Sequence, residues 1–496
     1  MTISYDVSDL MGWQLPHLTG IQRVTVGILQ GLAARGVGCR LVRFDHRLRA
    51  FVPVDVHALP EPIRRHLPQL ALAGTAAPPA AVSPREAFPA GPAPLAVAAR
   101  GGRPQPRNRL RATDRILGTD PAARQLRQAV RAFKGAARDL RRQAKRWALS
   151  RFQTPEPPSS RPTPVTTEVR RGATAPLPVR HHGQDQHFSI GDVLISLGAT
   201  WGSPDHAEVV GLLRARGVRV LRMIYDLIPT LKPHWVLPAH VAPVTAWVRR
   251  VLTESDHVFT ISDFSRQEIE RYCLECGFQR PSLSVVRLGD VMAGAAESEH
   301  PPLPRFVPRR PFFICVSTLD VRKNHRLLYD AWRRLATDDP AACPDLLCIG
   351  TPHLHVADLL REIQGDRLVN GRMHVLHGID DRELAWYYRH CLATIYPSWY
   401  EGWGLPVAES LGQGKMCLAS NATSIPEISA DLPEFFAPHD SGRLVDLVGR
   451  VLRDPGWRAA REAEIRRSFR PTAWTDTAAQ VLEALDVGGV AADRAA

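Results

Sequence analysis

No stretch of about 18 consecutive apolar residues occurs anywhere in the 496-residue chain, which excludes a membrane-spanning helix. The first residues, MTISYDVSDLMGW, lack the basic and apolar regions of a secretory leader and read as a first strand, so a cytoplasmic protein is expected. Cysteine is sparse and unpaired in pattern. The eight, at 39, 273, 276, 315, 343, 348, 391 and 417, are scattered, and several fall in apolar strand patterns, which suits reduced core thiols. Cys273 and Cys276 form a CxxC, but no second ligand pair has a matching spacing, so they read as core residues and not as a metal site. Acid is scarce in one segment only: residues 101–180 carry 19 Arg and Lys against 5 Asp and Glu, an excess that accounts for the whole net charge of +13. The rest of the chain is close to neutral, and the basicity therefore says nothing about its globular part.

That basic segment belongs to a longer one. From 60 to 186 the sequence is dominated by Ala, Pro and Arg, a composition that cannot bury enough apolar surface to offset chain entropy, and it is expected to be an insertion in the first domain. Within it, Asp120-Pro121 can cap a helix over about 121–150, in which Leu126, Val130, Phe133, Ala137, Leu140, Ala144 and Trp147 recur at helical spacing among Arg and Lys. A basic amphipathic helix through 120–151 fits an anionic membrane surface, making the protein peripheral on the inner face of the cytoplasmic membrane, or it fits the body of the same chain. No nucleic-acid partner is expected, because no nucleic-acid-binding fold accompanies the charge.

Elsewhere, short β-branched runs alternate with helical patterns. Residues 2–7, 38–44, 192–197, 218–225, 257–261 and 283–286 read as strands, with helices at 21–32, 206–216, 239–253 and 265–273 between them. A second set of strands follows at 312–316, 345–349, 374–376, 393–396 and 416–419. Such alternation implies an α/β chain of two doubly wound, Rossmann-like domains facing a central cleft. The first comprises 1–59 and 187–295 and the second 312–470, joined by a linker at 296–311. A final helix in 471–496 is expected to pack back on the first domain.

The densest chemistry lies in Tyr396 to Glu427. Glu401 and Glu409 flank the loop Gly402-Trp403-Gly404, which runs through Leu405-Pro406 into a helix start. Glycines and a helix N-terminus favour an anion, and carboxylates are good acceptors from sugar hydroxyls, so the stretch reads as a pocket for a phosphate-bearing ligand with hydroxyls. At the same sheet edge Ser317 to Asn324 places Arg322 and Lys323, two adjacent cations, beside Thr318. In the first domain, Thr19-Gly20 begins a helix and is a second candidate anion site.

These residues resemble glycosyltransferase family 4, retaining nucleotide-sugar enzymes of the GT-B fold. The resemblance rests on YPSWYEGWGLPVAES, which contains the E-x7-E pattern as Glu401 and Glu409, on SNATSIPE (420–427), STLDVRKN (317–324) and HGIDDRELAWYYRHC (377–391), and on TGIQRV (19–24), YDLIP (225–229) and TISDFSRQEI (260–269) in the first domain. It covers roughly 1–55 and 190–485 and leaves the insertion outside. It implies a hexosyltransferase, mannosyltransferase-like, that uses a nucleotide-diphosphate sugar and a saccharide or lipid-linked saccharide acceptor in cell-surface polysaccharide synthesis, with no cofactor and no metal. GDP-mannose is the first candidate donor and UDP-sugars follow.

Under this resemblance Lys323 and Arg322 hold the donor diphosphate, and Glu401 positions the sugar. Gly402, Trp403, Gly404 and Leu405 contact sugar and phosphate, Thr318 joins them in the donor site, and Glu409 accepts from the ribose. Gly20 reaches the diphosphate from across the cleft, and Tyr225 and Asp226 face the acceptor. Tyr225 stands where many family members have His. A glycosidase using the two glutamates, a sugar-nucleotide epimerase or phosphorylase on the same fold, and an inactive membrane- or nucleic-acid-binding scaffold are the alternatives.

Overall fold

A computed structural model describes residues 1–13, 18, 20–67, 187–291, 304–353 and 356–492, with side chains to 485. The basic helix expected at 121–150, the rest of the insertion from 68 onward, and Thr19 lie outside the described residues.

Two sheets account for the described strands. The first contains β1 (Ile3–Asp6), β2 (Cys39–Asp45), β3 (Ala50–Pro53), β4 (Val193–Ser196), β5 (Arg219–Met223), β6 (His257–Thr260) and β7 (Leu283–Val285), in the order β3-β2-β1-β4-β5-β6-β7. The second contains β8 (Phe312–Val316), β9 (Asp345–Ile349), β10 (Met373–Leu376), β11 (Thr394–Tyr396), β12 (Cys417–Ser420) and β13 (Glu434–Phe436), in the order β10-β9-β8-β11-β12-β13. All neighbours run parallel except β2 and β3. In each sheet the chain winds outward one way and then the other from a central pair, β1–β4 in the first and β8–β11 in the second. These are the doubly wound sheets that the alternation implied, and the GT-B resemblance implies the same pair. Strand interiors are apolar and fully buried: Val193, Leu194 and Ile195 are inaccessible, as are Phe313, Ile314 and Cys315, as expected for parallel strands covered on both faces.

The helices used below are α1 (Gly20–Ala34), α2 (Asp263–Cys276), α3 (His325–Asp338), α4 (Asp381–His390), α5 (Leu405–Gly412) and α6 (Trp474–Ala492). Along α2, Cys273 is buried and Cys276 exposed, as two unlinked thiols.

Two short strands escaped the sequence reading. β3 is an antiparallel edge of four residues and β13 has three, both below the length at which alternation is visible. The insertion boundary at 60 also needs correcting, because Glu61–Arg64 forms a helical turn and Ile63 and Leu67 are buried in the core of the first sheet. Two apolar side chains at spacing four are too weak a pattern to stand out beside an Ala/Pro/Arg tract.

The chain crosses between the halves twice. After β13 and two further helices it returns through Thr472 to α6, which packs on α1. A Cβ on Gly27, Gly31 or Gly289 would fall 2.2–2.4 Å from Trp474, so these glycines form the groove in which that residue sits. At the crossing itself, Asp290 N–H donates to the Thr472 carbonyl at 3.1 Å and Thr472 N–H donates to Asp290 Oδ1 at 2.7 Å, which ties the outgoing and returning segments side by side.

Candidate active site

In open α/β sheets ligands bind beyond the carboxyl ends of the strands, where the winding reverses. The loops that meet this condition in the second sheet are 317–324 after β8 and 397–404 after β11. Opposite them, the first sheet presents the start of α1 and the loop after β5. Together they enclose a cleft cavity of about 620 Å³, and every site residue named from the sequence lines it: Gly20, Tyr225, Asp226, Thr318, Arg322, Lys323, Glu401, Gly402, Trp403, Gly404, Leu405 and Glu409.

The centre of the second-sheet rim is a charge cluster. Lys323 Nζ donates to Glu401 Oε1 at 2.5 Å, and Arg322 Nη1 lies 2.7 Å from Oε2. Lys323 also donates to the Tyr396 hydroxyl at 2.9 Å, and Arg322 to the Tyr400 carbonyl at 2.6 Å. Sequence-local chemistry aims the two cations. They sit on a single turn, Val321–Lys323, which Asp320 caps by accepting from Arg322 N–H at 3.1 Å. The turn ends at Asn324 in the left-handed region, where the Asn324 amide donates to the carbonyls of Pro397 (3.0 Å) and Pro438 (2.7 Å). The Glu401 backbone is fixed as firmly, for Thr423 Oγ1 accepts from its N–H at 2.9 Å and Ser424 donates to its carbonyl at 2.9 Å. Burial alone would raise the Glu401 carboxyl, but Arg322 and Lys323 outweigh it and hold the group down at about 2. Burial pulls the Lys323 ammonium below its ordinary range, against the opposing pull of Glu401.

The glycine loop lines the cavity and also brings the two halves together. Gly404 has φ 128°, a conformation that L side chains rarely adopt, and it leads into α5, where Pro406 occupies the second position. Gly402 is required by its neighbour: a Cβ there would lie 2.9 Å from the Tyr225 carbonyl and 3.1 Å from Asp226 Cβ. The first and second halves therefore touch backbone to backbone at the cavity floor. The Trp403 indole is 6% exposed and lies against the Arg287 guanidinium, 5.6 Å from the ring centre, so it is chiefly a packing residue between the halves. Tyr225 turns its hydroxyl to the Leu197 carbonyl (2.9 Å), while Asp226 accepts from Ile228 N–H at 2.9 Å. Burial pushes the Asp226 carboxyl up, opposed by Arg322.

Residues 298–470 match the family described as glycosyl transferases group 1. This segment, about a third of the chain, is similar to group 1 glycosyl transferases. Over 233 residues the chain is 26% identical to the O-antigen chain mannosyltransferase B of Escherichia coli, covering 46% of this chain and 59% of that one. Over 273 residues it is 24% identical to the serotype-specific mannosyltransferase WbdA of Escherichia coli, covering 52% of this chain and 33% of that protein. The chain thus spans between a third and three fifths of the length of these curated relatives. Among solved structures, the α,α-trehalose 6-phosphate synthase from Burkholderia multivorans aligns with 61% of this chain and 72% of its own, at 16% identity and a TM-score of 0.47.

The second carboxylate of the matched segment, Glu409, stands one turn into α5. Tyr388 donates to its Oε2 at 3.1 Å, and Arg23 of α1 is ion-paired with its Oε1. Arg23, Tyr388, Thr423 and Ser424 were not named from the sequence as site residues. Each lies within a stretch that carried the resemblance, but the residue type alone gives no reason to prefer it over its neighbours. The same holds for Glu427, which accepts from the N–H groups of Asp263 (2.7 Å) and Phe264 (2.8 Å) and so caps α2 from the opposite half. Two motifs read separately, TISDFSRQEI and SNATSIPE, meet in that contact.

No group of three or more His, Cys, Asp or Glu among the described residues is arranged to hold a metal ion, and no described helix is long and apolar enough to cross a membrane.

Proposed function

We propose that the chain transfers a hexose, with mannose favoured, from a nucleotide-diphosphate sugar to a saccharide or lipid-linked saccharide acceptor with retention of anomeric configuration, in polysaccharide synthesis. The observation that carries this reading is the Arg322–Lys323–Glu401 cluster at the winding reversal of the second sheet. Cleavage at the anomeric carbon builds negative charge on the departing diphosphate and oxocarbenium character on the sugar. Arg322 and Lys323 supply charge for the first, and the reading assigns no metal to the step. Glu401, held ionised beside them, is suited to accept from sugar hydroxyls.

The same geometry disfavours a glycosidase. A general acid needs a proton near neutral pH, whereas Glu401 is held down at about 2 by two cations and Glu409 is ion-paired with Arg23. The mannosyltransferase relatives support the choice of sugar and of polysaccharide synthesis. Attachment to an anionic membrane through 120–151 belongs to the proposal on sequence grounds alone, since those residues lie outside the described ones.

The test is to supply GDP-mannose and UDP-sugars with a saccharide acceptor and to follow release of the nucleoside diphosphate, with and without a chelator. Acceptor-dependent, chelator-insensitive release from one donor is the expected result. Release of sugar without nucleotide consumption, or no release from any donor, overturns the reading.

A further inference from the structure

Arg23 is the cavity's one bridge of opposite charge from the first half to the second among the described residues that line it. Its Nη2 lies 2.8 Å from Asp381 Oδ1 at the start of α4, and its Nη1 pairs with Glu409 Oε1 in α5. The three side chains are 19%, 16% and 5% exposed, so the pairing is sheltered from solvent and is not a surface ion pair. A guanidinium suits this place because its planar fork reaches two carboxylates at once, which a lysine ammonium cannot do with the same geometry.

The lone pairs decide what the bridge leaves free. An ionised carboxylate offers about four acceptor positions. On Glu409 one position of Oε1 is taken by Arg23 and one of Oε2 by Tyr388, so each oxygen keeps one position for a further donor. Two vicinal hydroxyls match that remainder. We infer that Arg23 is a positioning residue for the donor ribose: it fixes Glu409 from across the cleft in the orientation that accepts the ribose diol, so that ribose binding and apposition of the halves are coupled. The inference rests on the donor reading above and adds to it a residue of the opposite half that acts through Glu409 and does not itself touch the reacting atoms.

The test compares GDP with 2′,3′-dideoxy-GDP, and UDP with its dideoxy analogue, by calorimetric titration of the full chain and of Arg23→Ala and Arg23→Lys. In the unaltered protein, removing the hydroxyls is expected to weaken binding about ten-fold or more, the scale of lost hydrogen bonds to a charged group. In Arg23→Ala the ribonucleotide should weaken while the dideoxy form binds as before, bringing the ratio toward one. Arg23→Lys, which keeps the charge and guards against a folding defect, should restore little of the ratio. An unchanged ratio in both variants, with both nucleotides weakened equally, would mean that Arg23 acts on the phosphates and overturns the inference alone. Failure of the unaltered protein to bind any nucleoside diphosphate would instead overturn the donor reading.

Discussion

On the second-half rim of the cleft, Arg322, Lys323 and Glu401 satisfy one another, and their backbone is held by Asp320, Asn324, Thr423 and Ser424. On the facing rim the cavity is lined by Trp201, Trp235, Ile228, Pro229 and Val236, and its charged side chains there are Arg23 and Asp226. One rim is organised before any ligand arrives, which is how electrostatic stabilisation avoids a reorganisation cost during reaction. The other offers shape and apolar surface, with aromatic contacts such as Trp235 against Tyr400, 5.9 Å between ring centres. Under the proposed function, donor chemistry falls to the ordered charges and acceptor choice to the apolar walls, which meet the charged rim through Tyr400, whose carbonyl accepts from Arg322.

Removing a charge from the ordered rim should break the comparison most strongly. Lys323→Ala is expected to lower turnover roughly 100-fold or more, the scale of one preorganised donor, with a native melting curve; a folded variant with unaltered turnover would contradict the assignment. The next effect comes from beneath the same rim. His325 is buried under Ser317, and burial together with Lys323 lowers its pKa to about 4. Above the unfolded value of about 6.5 both states are neutral. As pH falls below it the unfolded chain takes up the proton first, so stability falls with pH until the folded value is reached, by about 1–2 kcal/mol between pH 6.5 and 5. Denaturant titrations at those two pH values should show the loss, and His325→Gln should remove that share of it.

Gly402→Ala tests the contact where the rims meet. The added methyl must displace the Tyr225 carbonyl, and a loss of about 1–3 kcal/mol in stability is expected together with reduced turnover. The smallest effect should follow Trp235→Ala on the apolar rim. A few-fold rise in acceptor KM is expected, with nucleotide affinity unchanged in the same preparation, since the loss is one of ring contact and not of charge. Equal damage to donor and acceptor binding would dissolve the division of labour.

What could be read from the sequence follows the same division. The strands were legible because buried parallel strands are short apolar runs, and the donor rim because its residues are close in sequence: 317–324 and 396–427 each carry their own turns, caps and glycines. Glu401 and Lys323 could be paired by sheet position before any coordinate was known. The contacts of the facing rim join residues far apart in the chain, Arg23 to Glu409, Gly402 to Tyr225 and Glu427 to Phe264, and no local pattern marks them. The approach of Gly402 to Tyr225 was not legible for that reason, since a glycine kept for a ligand and one kept for a distant backbone look alike in sequence.

The paired crossing at Asp290 and Thr472 bears on how the cleft can open. A single linker would let one half swivel as well as bend, presenting the rims at many angles. Two segments tied at Asp290 and Thr472 act like the two knuckles of a door hinge and resist torsion at that point. A swing about that crossing would part Arg23 from Glu409 and Phe264 from Glu427 while leaving those two hydrogen bonds in place.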